Sequence, residues 1–361
     1  MARAAVLAEA ELGRPMGKTA NGLVLHSVAD DVVAVIDSTN AGRDAGQVVA
    51  KRDVGIPVVA SLDEALAIGI ERLYIGVANV GGYLPPVMHD VVPAALRAGV
   101  HVISGLHIFL SEVPEFAAAA QESGATITDI RRPPTDLRVA DGSLLDRTTP
   151  RILVMGMDCD IGKRVTAMEL LKAARDAGRD PGFVATGQTG CMLAPDAGTV
   201  IDRVPADFAA GQVERMARDV SDMGRDVVIG YGQASIRHPA FSAVAIAVLH
   251  GFAPDAVILQ VAPGRRQRVL FDHPKYLVGN VLEEIALIEA LGSTRVVALA
   301  VNPSEAADAR QAIMELEART GLPAVDPLTG DPMRLWQAAW KSCQRNGAQV
   351  PARAATPPAT R

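Results

Sequence analysis

Aromatic residues are scarce in this chain, 4% against 49% hydrophobic residues overall. With so few rings, Val, Leu, Ile and Ala must fill the core, which favours an α/β protein over an all-β one. Cysteine is equally sparse. Cys159, Cys191 and Cys343 lie far apart with no Cys-x-x-Cys pair, so neither a disulfide framework nor a zinc site is indicated, and no metal is expected. No basic run interleaved with aromatics occurs, and the net charge of -6 argues against a nucleic-acid partner. Long apolar runs are also missing. The most apolar stretch, residues 241–249, falls well short of the ~20 residues that span a bilayer. Acidic residues interrupt the N-terminus early, so it does not read as a secretory signal. A cytoplasmic protein with no membrane partner is expected.

The 361 residues allow two domains, because single cores rarely grow beyond about 250–300 residues. In residues 1–145, apolar stretches at 32–37, 57–60, 73–78 and 100–104 read as buried strands alternating with helices, among them one capped by Ser61 and one over 91–98. That alternation predicts a parallel α/β fold. Asp37 and Gly81-Gly82 fall at strand ends, where such sheets bind ligands, as does His107 just beyond 100–104. No Gly-x-Gly-x-x-Gly occurs there. The expectation is a Rossmann-like domain without a dinucleotide fingerprint. Arg131-Arg-Pro-Pro134, Gly142 and Pro150 break the pattern as a linker. A second domain follows over 146–343, with strands at 152–155, 182–186, 226–229, 256–260 and 296–301 and helices including 282–291 and 305–320. The proline-bearing tail, 344–361, is expected to be disordered.

The densest chemistry is in Gly156-Met-Asp-Cys-Asp-Ile-Gly-Lys163, which joins the strand at 152–155 to a helix with Val165, Met168, Leu171 and Ala174 at helical spacing. Such a loop turns backbone N–H groups and a helix N-terminus toward an anion, with a lysine above it. Gly156, Asp158, Cys159, Asp160, Gly162, Lys163, Arg164 and Thr166 are the expected phosphate-binding residues. Cys159 is either a reactive thiol or a small packed residue. Five residues separate the glycines, where an ordinary Walker A loop has four, and Arg164 replaces the usual Ser or Thr. The longer loop resembles that of dethiobiotin synthetase and related deviant P-loop enzymes.

Three further segments narrow the resemblance: Thr186-Gly-Gln-Thr-Gly190, Gly230-Tyr-Gly-Gln-Ala-Ser-Ile-Arg-His-Pro239 and Gly321-Leu-Pro-Ala-Val-Asp-Pro327. Together with Ser104-Gly-Leu-His107 they are similar to a bacterial and archaeal family whose characterised member is a D-glutamate N-acetyltransferase. The likeness runs from about residue 32 to residue 327. It implies a Rossmann-like domain followed by a P-loop NTPase-like parallel α/β domain, and transfer of acetyl from acetyl-CoA to an acidic amino acid. With an apolar surface helix or two, it also implies a homo-oligomer.

Magnesium-dependent phosphoryl transfer needs a hydroxyl after the P-loop lysine and acidic ligands at neighbouring strand ends. Here those positions are Arg164 and, where dethiobiotin synthetase has a glutamate, Tyr231. An added guanidinium suits a multiply anionic ligand such as CoA. Alternatively, Arg164 faces solvent and Thr166 supplies the hydroxyl. Acetyl transfer to an amine needs a base, oxyanion donors and, for an acidic substrate, cations. His238, Asp207 and Glu214 are candidate bases, and Arg237 and Arg265 candidate carboxylate binders. Gln188 could supply a donor, and Asn302 matches the position where deviant P-loop enzymes bond adenine. Each has a plainer reading: His238 fixes a turn, Asp207 caps a helix beginning at Phe208, and Arg265 belongs to a solvated charge run. Two rival functions remain, a magnesium- and ATP-dependent ligase or kinase of dethiobiotin-synthetase type and a nucleotide or CoA sensor.

Overall fold

The computed structural model describes residues 1–27, 29–78 and 83–345. Gly81-Gly82 and the tail beyond residue 345 lie outside the described residues. Contacts divide the chain into two units, Met1–Leu137 with Ala185–Pro205, and Arg138–Val184 with the remainder.

The first unit holds a parallel sheet of β1 (Arg3–Leu7), β2 (Asp31–Ile36), β3 (Val58–Val59), β4 (Arg72–Ile75), β5 (His101–Ser104) and β6 (Ile127–Asp129). Its order, β3-β2-β1-β4-β5-β6, is the doubly wound Rossmann order. Between the strands run α1 (Lys18–His26), α2 (Ala45–Ala50), α3 (Leu62–Ile68), α4 (Pro86–Arg97) and α5 (Pro114–Ser123). Leu7, Ile36, Leu73, Ile75, Met88, Leu96 and Phe116 fill one core. The sequence reading finds β2 to β5 but neither β1, whose paired alanines have weak strand propensity, nor the three-residue β6. It starts α4 five residues late; the helix opens on Pro86 and runs through the buried Pro93. Asp37, just past β2, accepts amides from Ala10, Leu12 and Thr39, so its carboxylate is committed to the chain's own loops.

The second unit begins with β7 (Arg151–Gly156), α6 (Lys163–Asp176) and β8 (Pro181–Ala185). The chain then enters the first unit through α7 (Gln188–Cys191) and β9 (Ala197–Gly198). It returns as α8 (Ala206–Asp222), β10 (Val227–Tyr231), α9 (Ser242–Phe252), β11 (Ala256–Val261), α10 (Val281–Gly292), β12 (Val296–Val301), α11 (Ala309–Thr320), β13 (Ala324–Val325) and α12 (Pro332–Arg345). Within this unit the strand order is β13-β12-β11-β7-β10-β8, with parallel pairing. All six β7 residues and all six of β11 are buried, as strands covered on both faces must be. On α6 the buried stripe is Thr166, Ala167, Leu170, Leu171 and Ala174, slightly rotated from the spacing read in the sequence. Helix α11 starts at Ala309 rather than residue 305, because Asp308 caps it by accepting the Gln311 amide at 2.9 Å.

Candidate functional site

In the second unit, β7 lies between β10 and β11. Parallel strands place their following loops on one edge, and a strand whose neighbours continue in opposite directions marks a ligand crevice. Here that edge gathers the phosphate loop after β7, residues 232–241 after β10 and residues 262–280 after β11.

The phosphate loop is shaped by its backbone. Gly162 has φ +110°, a value that side chains rarely allow, and it precedes the first residue of α6. At Gly156 a Cβ would come 2.8 Å from the Lys163 side chain, so the missing side chain lets the lysine lie along the strand end. Asp160 adopts a left-handed conformation, φ +51°, and is exposed.

Three consecutive loop carbonyls each accept a cationic side chain. Arg268 Nη1 donates to Met157 O at 2.8 Å, Lys163 Nζ to Asp158 O at 2.6 Å, and Arg265 Nη1 to Cys159 O at 2.9 Å. Arg268 is buried, and Arg265 also pairs with Glu305. The charge run 264–268 is therefore not a uniformly solvated face. Burial pushes the Arg268 guanidinium down from its ordinary value, partly offset by Glu284 and Asp158. For Arg265 burial acts the same way, but Glu305, Asp158 and Asp160 outweigh it and hold the group above its ordinary value.

The buried Asp158 carboxylate accepts the Val269 amide at 3.1 Å and lies 3.7 Å from both Arg265 and His238 Nε2. His238 is fully enclosed and stacked on Phe241, ring centroids 4.7 Å apart. Its Nδ1 accepts the Ala240 amide and its Nε2 faces the Val269 carbonyl, both at 3.2 Å. The ring is thus the neutral Nε2–H tautomer, assigned from these partners. Burial lowers its pKa, against the Val269 bond and Asp158. Donor atoms of Asp158, Cys159 and His238 lie within 4.8 Å of one another. Metal ligation at Nε2 would move the proton to Nδ1, which faces an amide N–H, so this histidine fits a cation poorly.

The Thr166 hydroxyl, fully buried, donates to Gln260 Oε1 on β11. Half-buried Arg164 has its guanidinium pushed below its ordinary value by burial, opposed by Tyr231. Tyr231 ends β10 and stacks on Phe183 at 6.1 Å. Asn302, past β12, accepts the Ser304 amide at 3.1 Å. Arg237 donates to Glu283 at 2.8 Å. Asp207 is exposed in the first turn of α8, which begins at Ala206. Glu214 accepts the Asp141 and Leu144 amides at 2.9 and 3.2 Å. Gln188 belongs to the first unit, bonded to Thr19 and Arg131.

Glu284 and Gln260 escape the sequence reading, while Ser235 and Arg268 fall in segments it singles out without giving either a role. Glu284, fully buried in the first turn of α10, accepts the Ser235 hydroxyl at 2.7 Å. Burial raises its pKa, opposed by Ser235, Arg268, Arg237 and Lys163. Its only sequence signal is a second acid after the Asn280 cap, which reads as an ordinary helix start.

Residues 138–336 match the P-loop domain of a family described as a domain of unknown function, DUF1611, and residues 38–133 match its Rossmann-like N-terminal domain. The chain is 36% identical to a D-glutamate N-acetyltransferase of Tritonibacter scottomollicae over 77% of this chain and 84% of that protein. It is 32% identical to another from a Pseudoalteromonas species, over 74% and 81%. A crystal structure of a DUF1611 protein from Anabaena variabilis superposes with TM-score 0.86 at 33% identity, covering 94% of this chain and all of that one.

Proposed function

The chain belongs to the DUF1611 family, and on that footing we propose that it is an N-acetyltransferase moving acetyl from acetyl-CoA to the amine of D-glutamate. The observation that carries the reading is the cation-lined phosphate loop. Lys163, Arg265 and Arg268 converge on its carbonyls, while the Thr166 hydroxyl is committed to Gln260 and Tyr231 occupies the end of β10. Cations in this setting suit phosphates that are held rather than transferred.

In this reading the loop amides, Lys163 and Arg164 hold the phosphates of CoA, and Asn302 is placed for its adenine. His238 and Asp158 brace the loop, since the imidazole is bonded on both sides. Arg237 exchanges Glu283 for a substrate carboxylate. The acceptor nitrogen attacks the thioester carbonyl carbon, forming C–N and breaking C–S. The two curated relatives, both named D-glutamate N-acetyltransferase, support the choice of acceptor.

The test is release of free thiol from acetyl-CoA on adding D-glutamate, with product mass as a second readout. Thiol release with D-glutamate is expected. No release across a panel of D- and L-amino acids, or magnesium-dependent nucleotide turnover instead, would overturn the reading.

A further inference from the structure

We infer that Glu284 is the general base that takes the ammonium proton of the acceptor, an assignment that rests on the acyl-transfer reading above. The other candidates are committed elsewhere. Both carboxylate oxygens of Glu214 accept backbone amides, both His238 nitrogens face backbone groups, and Asp207 is exposed on α8. Glu284 differs. Its Oε1 is fixed by Ser235 at 2.7 Å, whereas Oε2 is buried with no hydrogen-bond partner among the described residues. A buried oxygen left without a donor is costly, and an ammonium N–H would satisfy it.

The surroundings fit an amino acid. The charges of Arg268, Arg237 and Lys163 all act on Glu284, and two of these cations, Arg268 and Lys163, also bond the phosphate loop. Arg237 is paired with Glu283, one residue earlier on the same turn. A substrate carboxylate that takes Arg237 from Glu283 is held at the first turn of α10, the turn that carries Glu284. Burial also holds the carboxyl above its ordinary value, making it a stronger base than an exposed glutamate.

The step balances without a further reagent. One ammonium proton passes to Glu284 Oε2, and the freed lone pair forms the C–N bond. As C–S breaks, the sulfur leaves with the electron pair and takes the second nitrogen proton, giving the free thiol of CoA. Glu284 then returns its proton to solvent.

The experiment is the pH profile of kcat/KM for wild type, Glu284→Gln and Glu284→Asp, with acetyl-CoA binding measured on each. Glu284→Gln is expected to lose about 10²- to 10⁴-fold near neutral pH. Its activity should then climb about tenfold per pH unit as free amine replaces ammonium. Acetyl-CoA binding should hold, and Glu284→Asp should recover part of the rate. A loss of constant size at every pH, or a Gln variant as active as wild type, overturns the assignment while leaving acyl transfer standing. A wild-type protein that acetylates no amino acid overturns both.

Discussion

Arg164 occupies the position where a magnesium-dependent loop needs a hydroxyl, and burial works against its charge. A guanidinium held in that state is stabilised by an anion that bonds it in a fork. Replacing it with methionine removes a charge-assisted hydrogen bond of about 1.5–3 kcal/mol. Arg164→Met should therefore weaken acetyl-CoA binding roughly 10- to 100-fold by calorimetry, and an unchanged affinity would remove Arg164 from the phosphate site. Glu284 offers a prediction independent of turnover. Its folded pKa is raised above the ordinary 4.5, burial being the largest cause. The fold therefore favours the neutral acid, and the stability this gives is full below 4.5 and lost as pH rises through the folded value. Glu284→Gln keeps the neutral shape at every pH. Its melting temperature relative to wild type should rise as pH climbs above 4.5, whereas a pH-independent difference would mean that Glu284 is not perturbed.

At the level of elements, α8 shows how a plausible catalytic acid becomes a fastener. Glu214 is buried on α8 and gathers the amides of Asp141 and Leu144, tying the segment before β7 to the helix. Glu214→Ala leaves two N–H groups without their acceptor, at about 2–4 kcal/mol. Lower urea stability with kcat/KM preserved per folded molecule is expected, and a catalytic loss with stability intact would contradict the fastening role. Another helix, α10, marks the limit of legibility. Strands β7, β10, β11 and β12 are readable because buried parallel strands are continuous apolar runs, here closed by Gly, Pro or Asn. The phosphate loop is readable because its backbone demands glycine at Gly162. Glu283 and Glu284 are not separable in sequence. Both follow an Asn cap and both complement the helix dipole, and only the packing of α10 turns one inward and leaves the other at an exposed ion pair with Arg237.

For the whole molecule, the least legible feature is the passage of residues 185–205 into the first unit. The sequence suggests one linker near residue 131 and one boundary after it, since local periodicity carries no record of which distant partner satisfies a polar side chain. The structure supplies those partners within the first unit. Thr189 meets Thr19 at 2.9 Å, Gln188 donates to Thr19 at 3.0 Å, and buried Arg131 bonds Gln188, Asp202 and the Gly105 carbonyl. Arg131 is thus the hub that ties the returning segment to the first unit. Removing one partner of a buried charged cluster strands the others, which costs about 3–5 kcal/mol. Arg131→Met should accelerate hydrogen exchange at amides of residues 188–204 and around Thr19, because local opening follows the loss of local contacts. Amides of β7 and α6, whose hydrogen bonds lie in the second unit, should keep their protection. A uniform loss of protection along the chain would show that the two contact-defined units open as one, and unchanged exchange at 188–204 would show that Arg131 is not the hub.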